Sequence, residues 1–156
     1  MAILTVTHTE TVFLNNRERG GTNTYTLNSI DKVDERIVNV DDGNPATQTD
    51  WTTLAVFGSN SEGEASVIDR DEVQYIRVSN LDATNYIILS IVATGTVASV
   101  KLLPQESFIL GRGAAGAVGE GDAVPSAVPK DIDRITSLAD TANCNVEIFI
   151  ASGVYS

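Results

Sequence analysis

Short runs in which apolar and polar residues alternate recur along the whole chain. Residues 3–14 read ILTVTHTETVFL, residues 22–30 read TNTYTLNSI and residues 73–80 read VQYIRVSN. A period of two with many β-branched residues is the signature of a half-buried β-strand. Residues 86–93, YIILSIVA, are apolar on both faces, which is typical of a central strand covered on each side.

Clusters of Gly, Asp, Asn and Pro separate these runs. Examples are RGG at 19–21, DDGNP at 41–45 and LDATN at 81–85, which all have the composition of turns. About eight to ten short strands with almost no helix predict an all-β fold. We therefore expect a single domain over residues 1–156, an antiparallel β-sandwich that is jelly-roll-like, in which residues 1–14 form an N-terminal strand or arm.

One segment also fits a helix. In residues 131–142, DIDRITSLADTA, Asp131 is a suitable N-cap and apolar residues recur at helical spacing. A weak internal repeat favours strands instead, because SNLDATNYIILSIVATG at 79–95 aligns with SLADTANCNVEIFIASG at 137–153. Each copy then reads as strand, Asp/Asn-rich turn and strand, which predicts a second hairpin near the C-terminus.

A glycine-rich run raises the question of nucleotide binding. Residues 111–116, GRGAAG, match the G-x-G-x-x-G pattern of dinucleotide-binding loops. Such a loop needs a helix directly after the glycines, because the helix N-terminus supplies the amide donors for the pyrophosphate. The next residues include Gly119, Gly121, Pro125 and Pro129, which oppose a helix. We therefore expect no nucleotide and no other cofactor.

The same stretch predicts one long Gly/Ala/Pro loop over residues 111–130. Loops of this length in a small domain are uncommon and tend to be functional or mobile. Its small apolar residues would be stabilised by packing on a neighbouring subunit or a partner; a surface loop without a partner is the alternative. The candidate contact residues are Ala114, Ala115, Val118, Val124 and Val128.

The charge balance narrows the class of partner. The chain has 21 acidic and 10 basic residues, a formal charge of −11 that repels nucleic-acid phosphates. The longest apolar run, residues 86–93, is far shorter than the roughly 20 residues that span a bilayer. The N-terminus lacks the basic and long apolar regions of a secretory signal. We expect no nucleic-acid partner, no membrane contact and folding in a cytoplasm.

Few residues could carry catalysis. One cysteine, Cys144, and one histidine, His8, cannot assemble an internal disulfide, a thiolate zinc site or a multi-histidine metal site. The sequence also has no nucleophile elbow, zincin motif or EF-hand spacing. We expect no catalytic and no metal site. Two alternatives stay open: a pair of carboxylates acting as acid and base, and a sugar-stacking surface built from Trp51 or the tyrosines.

Five segments along the chain form a set whose order is informative. They are TVFLNNRERGGTNT (11–24), VDERIV (33–38), QYIRVSNLDATNYIILSI (74–91), KLLPQESFIL (101–110) and DIDRITSLADTANCNVEIFIAS (131–152). Each is a strand-and-turn pattern rather than a catalytic signature, and together they cover 70 of the 156 residues. In this order they resemble the small virion structural proteins of marine and freshwater tailed phages.

The resemblance implies a jelly-roll-like sandwich that works without catalysis as an auxiliary head protein. Such a decoration or cement protein is expected to be a homotrimer that binds the major capsid protein on the outside of the assembled head and stabilises it. Its location would be the capsid surface of the virion. The alternative is a tail or fibre-tip module that binds a receptor or a glycan. The loop at 111–130 departs from the family pattern. The resemblance transfers no binding residues, because the matched segments read as scaffold rather than as a site.

Overall fold

The structure, a computed structural model, describes residues 2–43, 51–58, 67–111, 116–117 and 130–153. Apart from one short 3-10 turn, Arg70–Glu72, the regular elements of these residues are all strands. In chain order they are β1 Ala2–Glu10, β2 Phe13–Leu14, β3 Arg17–Glu18, β4 Gly21–Ile30, β5 Lys32–Val40, β6 Thr52–Gly58, β7 Val67–Asp69, β8 Val73–Asn80, β9 Ile87–Ala93, β10 Thr96–Leu102, β11 Ser107–Leu110, β12 Gly116–Ala117, β13 Lys130–Ala139 and β14 Cys144–Ser152.

Two packed sheets form the body of the protein. The front sheet has the strand order β11-β8-β14-β5, and the back sheet has the order β10-β9-β13-β6-β7, with β12 paired to the start of β13. All described pairs are antiparallel except β6 with β7, which is parallel. The antiparallel all-β sandwich predicted from the sequence is therefore confirmed.

The core lies between the two sheets. Ile76 and Ile148 of the front sheet and Leu89 and Ile135 of the back sheet are at most 1% exposed. Strand neighbours of these residues point away from the core, as the period of two requires. Burial of each such side chain contributes about 1.5–3 kcal/mol, so this layer accounts for most of the stability of the sandwich.

A third layer covers part of the front sheet on its outer side. β1 and β4 form a two-stranded ribbon, and β2 and β3 continue it to a tight turn. At the base of the ribbon, Val6, Leu27 and Ile30 pack against Tyr75 of β8 and Ala151 of β14. The N-terminal strand predicted within residues 1–14 is β1, which pairs with β4 of its own chain.

The helical alternative for residues 131–142 is wrong, because most of this segment is strand β13. β13 pairs with β9 on one side and with β6 on the other. The register with β9 shifts between Ile132 and Arg134, where Asp133 is the extra residue of β13. A β-bulge adds one residue to a strand, so two inward side chains become three residues apart and imitate helical spacing.

The repeat at 79–95 and 137–153 is strand, turn and strand in both copies, but neither copy is a hairpin. β8 belongs to the front sheet and β9 to the back sheet, while β13 belongs to the back sheet and β14 to the front sheet. Each turn therefore crosses between layers that stand about 10 Å apart. The hairpin prediction is wrong because the sequence pattern of a turn does not specify whether the next strand pairs or crosses over.

The long loop predicted at 111–130 contains one described piece, β12, whose Gly116 and Ala117 pair with Asp131 and Lys130. The five candidate contact residues in this loop lie outside the described residues; they are Ala114, Ala115, Val118, Val124 and Val128. Within the described part of the chain, no helix has the length and apolar character needed to cross a membrane.

Candidate interaction surfaces

The far end of the ribbon exposes three consecutive apolar side chains. Phe13 is 73% exposed, and Val12 and Leu14 are each 52% exposed. Asn15 and Asn16 between β2 and β3 both have positive φ, 52° and 58°, which closes the tightest form of β-hairpin turn. An exposed apolar cluster of this kind is a candidate contact surface rather than a packing requirement. We call these three residues the ribbon tip.

The ribbon differs in charge from the body. Residues 1–30 hold two arginines and two glutamates, so the formal charge of −11 arises entirely from residues 31–156. A like-charged or acidic partner is repelled by the body but not by the ribbon. The ribbon tip is thus the part of the described surface that is best suited to approach another acidic protein.

A second exposed apolar set lies on β5, at one edge of the front sheet. Val33 and Ile37 are 52% and 62% exposed, and Ile3 of β1 is 66% exposed. An unpaired edge strand offers backbone donors and acceptors to another chain. Here Arg36 places a charge on the edge strand, which opposes the addition of another strand. Its guanidinium donates to Asp34 Oδ2 at 2.8 Å and to the backbone oxygen of Leu54 at 2.6 Å. The β5 edge is therefore better suited to side-chain packing than to strand addition.

A groove of about 460 Å³ lies between the ribbon and the outer face of the front sheet. Tyr75 and Phe149 meet edge to face at 6.0 Å on its floor, and His8 stacks on Tyr25 at 6.2 Å. Arg77 lies 5.5 Å above the ring of Phe149. The lining residues are Leu4, Thr5, Val6, Thr7, His8, Glu35, Tyr75, Arg77, Ser107, Ile109 and Phe149.

The charges in this groove are used for packing. Arg77 Nη2 donates to Glu147 Oε2 at 2.6 Å, which compensates the cation on the front sheet. Burial, followed by the neighbouring Tyr25, raises the pKa of Tyr75, so its phenol stays protonated at neutral pH. His8 contributes its ring to a stack with Tyr25. The arrangement joins the ribbon to the sandwich.

A groove of about 420 Å³ occupies the outer face of the back sheet. Two cross-strand rows form its floor. Ser99, Ser90, Thr136 and Thr53 are register partners across β10, β9, β13 and β6 and form a row of hydroxyls. Val97, Val92, Arg134 and Val56 form the adjacent row on the same strands. We call this the Trp51 groove, because the half-buried indole of Trp51 also lines it.

The two single reactive residues of the sequence are placed apart. Cys144 is buried at the start of β14, where its Sγ donates to the backbone oxygen of Ala142 at 3.4 Å. Burial, and then the carboxylates of Asp82 and Asp140, raise the pKa of this thiol. His8 lies in the ribbon. In the part of the chain that the structure describes, no three His, Cys, Asp or Glu side chains gather as a potential metal site.

Sequence reasoning missed Arg77 and Arg134. Arg77 faces outward on β8, two residues from Tyr75, and that alternation is visible in the sequence as a polar residue in an apolar strand. Arg134 directly follows the bulge at Asp133, where the period of two fails, so its side of the sheet could not be read from the pattern. Trp51, which the sequence offered as a sugar-stacking residue, does line a groove.

Comparison of the chain with family models, with curated proteins and with solved structures returned no match. The resemblance to phage virion proteins, drawn from the sequence alone, therefore stays an expectation.

Proposed function

We propose that the protein is a non-enzymatic structural protein of a tailed-phage virion, a decoration or cement protein that binds the outside of the assembled head and stabilises it. The observation that carries this proposal is the ribbon tip. Thr9 and the turn at Asn15 are six residues apart along the chain, a reach of about 20 Å in extended conformation. A β-sandwich that extends an apolar tip, on a ribbon without net charge, from an acidic body is suited to anchoring on a protein surface.

We also infer that the sandwich is a jelly roll. The order of eight strands supports this: the front sheet runs β5, β14, β8 and β11, and the back sheet runs β6, β13, β9 and β10. In each sheet, the first of these strands in the chain pairs with the last one, β5 with β14 and β6 with β13. Two nested Greek keys arrange their strands in this way.

A homotrimer bound to the major capsid protein is part of the proposal. The exposed Val33 and Ile37 on β5 supply an apolar surface for a neighbouring subunit, while the ribbon tip remains for the capsid. Three tips on one particle bind multivalently, so that modest contacts per subunit add up to stable attachment. Occupied sites then stabilise the assembled shell over the ruptured one by mass action.

Immunogold labelling of the virions that carry the gene for this chain is the first test. Label over the head supports a decoration protein; label confined to the tail favours the tail or fibre-tip alternative. Protein that remains in the lysate while virions stay unlabelled would overturn both.

A binding assay tests the ribbon tip itself. Heads that lack the protein are mixed with purified protein and sedimented. We expect Phe13→Ser with Leu14→Ser to weaken binding at least about tenfold, a loss of about 1.4 kcal/mol. Val97→Ser is the matched control, because Val97 is 58% exposed but lies on the back sheet. Equal binding of the tip variant and the control would show that the tip is not the anchor.

A further inference from the structure

The one tryptophan of the chain is not used in the core. Neither hydrophobic cluster of the described residues includes Trp51; its half-buried indole lines the groove on the back sheet instead. Tryptophan supplies a large flat apolar surface at little entropic cost, and it is the residue most often found at binding hot spots. A tryptophan beside a groove, rather than inside the core, is therefore a candidate anchor for a ligand with a flat apolar face.

The floor of the Trp51 groove is suited to hydroxyl groups. Ser99, Ser90, Thr136 and Thr53 succeed one another across four neighbouring strands. Strands are about 4.8 Å apart, so this row extends for about 14 Å. Each hydroxyl can both donate and accept a hydrogen bond. A row of such groups beside an indole complements a ligand that has hydroxyls on its edges and an apolar face.

Arg134 provides the charge that selects among such ligands. Arg36, Arg70 and Arg77 each have a carboxylate within 3.4 Å, whereas Arg134 has no carboxylate partner among the residues that the structure describes. It is exposed, and it lies next to the hydroxyl row. A free guanidinium in a groove favours a planar anion, which it binds with two parallel hydrogen bonds.

We propose that the Trp51 groove binds a saccharide that bears a carboxylate. One sugar ring stacks on the indole of Trp51, neighbouring sugars follow the hydroxyl row, and the carboxylate pairs with Arg134. The volume of about 420 Å³ is within the usual range for small-molecule sites. The formal charge of −11 on the chain disfavours a polyanion, so a glycan with a single acidic sugar fits better than a polyuronate or a nucleic acid.

Binding can be followed without a label, because Trp51 is the only tryptophan and its emission reports on this groove alone. The probes are trisaccharides ending in glucuronate, galacturonate or sialate, each paired with its carboxyl-reduced counterpart. We expect at least one acidic probe to give a saturable emission change, and its reduced counterpart to bind at least about tenfold more weakly. Absence of a saturable change with every acidic probe up to about 10 mM would overturn the proposal.

Variants assign the interaction to residues. Arg134→Gln should weaken the acidic probe about tenfold and leave its reduced counterpart unaffected. Lys101→Gln is the matched control, since it removes the same charge from the same sheet outside the groove. By calorimetry, Trp51→Ala should abolish binding and Trp51→Tyr should retain part of it, with far-ultraviolet circular dichroism confirming the fold.

Two results would contradict the assignment. Equal affinity for the acidic and reduced probes would show that the site does not recognise a carboxylate. An equal effect of Arg134→Gln and Lys101→Gln would show that Arg134 does not bind it. The groove and the ribbon tip lie on different sheets, so the double variant of Phe13 and Leu14 should bind sugar normally. If the protein does not bind capsids, the proposed saccharide site is unaffected. If it does not bind saccharides, the proposed capsid binding is unaffected.

Discussion

Arg77 and Glu147 form a diagonal ion pair across β8 and β14, with Nη2 and Oε2 2.6 Å apart. Their side chains are 35% and 23% exposed, and the guanidinium also lies over the ring of Phe149. The pair is on the outer face of the front sheet, at the groove that the ribbon covers. The carboxylate of Glu147 compensates the positive charge that Arg77 places over the ring of Phe149.

A double-mutant cycle of Arg77→Met and Glu147→Gln tests this coupling. We expect an interaction free energy of about 1–2 kcal/mol, because the pair is partly shielded from water. The ion pair of Arg36 with Asp34 is a suitable comparison, since Arg36 is 42% exposed. Its cycle should give at most about 0.5 kcal/mol. Equilibrium urea unfolding measures both, and equal coupling in the two pairs would contradict the role of burial.

The adjacent glycines at the start of β4 should respond differently to substitution. A Cβ on Gly20 would overlap the backbone oxygen of Glu10, whereas a Cβ on Gly21 would meet nothing within 4 Å. We expect Gly20→Ala to destabilise the ribbon by about 1–3 kcal/mol, because the paired backbone must move apart. Gly21→Ala should change stability by at most about 0.5 kcal/mol. Amide hydrogen exchange of the ribbon measures the difference; similar protection in both variants would refute it.

The turn that presents the ribbon tip can be strengthened or weakened through Asn16. Asn15 and Asn16 have φ values of 52° and 58°, a conformation in which Asn-Gly is the preferred pair. We expect Asn16→Gly to stabilise the ribbon by about 0.5–1 kcal/mol and Asn16→Val to destabilise it by about 1–2 kcal/mol.

Asn23→Gly is the control for this turn, because a glycine inside strand β4 should instead destabilise by about 0.5–1 kcal/mol. Nuclear magnetic resonance of the ribbon amides measures the population of the folded ribbon in each variant. If glycine had the same effect at both positions, the left-handed turn would be the wrong explanation.

Alternation of residues was enough to predict the strands but not their partners. The alternation in VQYIRVSN and the apolar run YIILSIVA correctly predicted β8 and β9, which are both buried along most of their length. That β8 and β9 enter opposite sheets depends on how the turn at 81–86 is anchored. Asn80 Nδ2 donates to the backbone oxygen of Asn85 at 2.9 Å and to that of Leu103 at 3.2 Å. The bond to Leu103 joins distant parts of the chain and has no local signature.

The surface sites also divide into features that are visible in the sequence and features that depend on strand pairing. The apolar tip at Phe13 is visible in the sequence, since three apolar residues precede two asparagines. The hydroxyl row of the Trp51 groove is not, because Ser99, Ser90, Thr136 and Thr53 come from four strands and meet only through register. One bulge in β13 and one in β6 set that register, and no pattern in the sequence indicated them.

Asp82 should make the stability of the β8–β9 crossover depend on pH. Its Oδ1 accepts from the backbone amides of Asn85 at 2.6 Å and Thr84 at 2.7 Å. These two bonds, that of Asn85 first, lower the pKa of this carboxyl from the ordinary 3.8. A carboxyl whose folded-state pKa is lowered stabilises the fold above its unfolded-state pKa, and the effect is lost as pH falls through the folded-state value.

The carboxyl carbon of Asp82 should therefore titrate with a midpoint below 3.8 by nuclear magnetic resonance. Asp82→Asn should lower the thermal unfolding midpoint at neutral pH, and the gap to the unmodified protein should shrink as the pH falls below about 4. Glu10→Gln, which removes an exposed carboxylate from the ribbon, is the control and should show no such convergence. A pH-independent gap for Asp82→Asn would mean that the turn is stabilised by the shape of this side chain rather than by its charge.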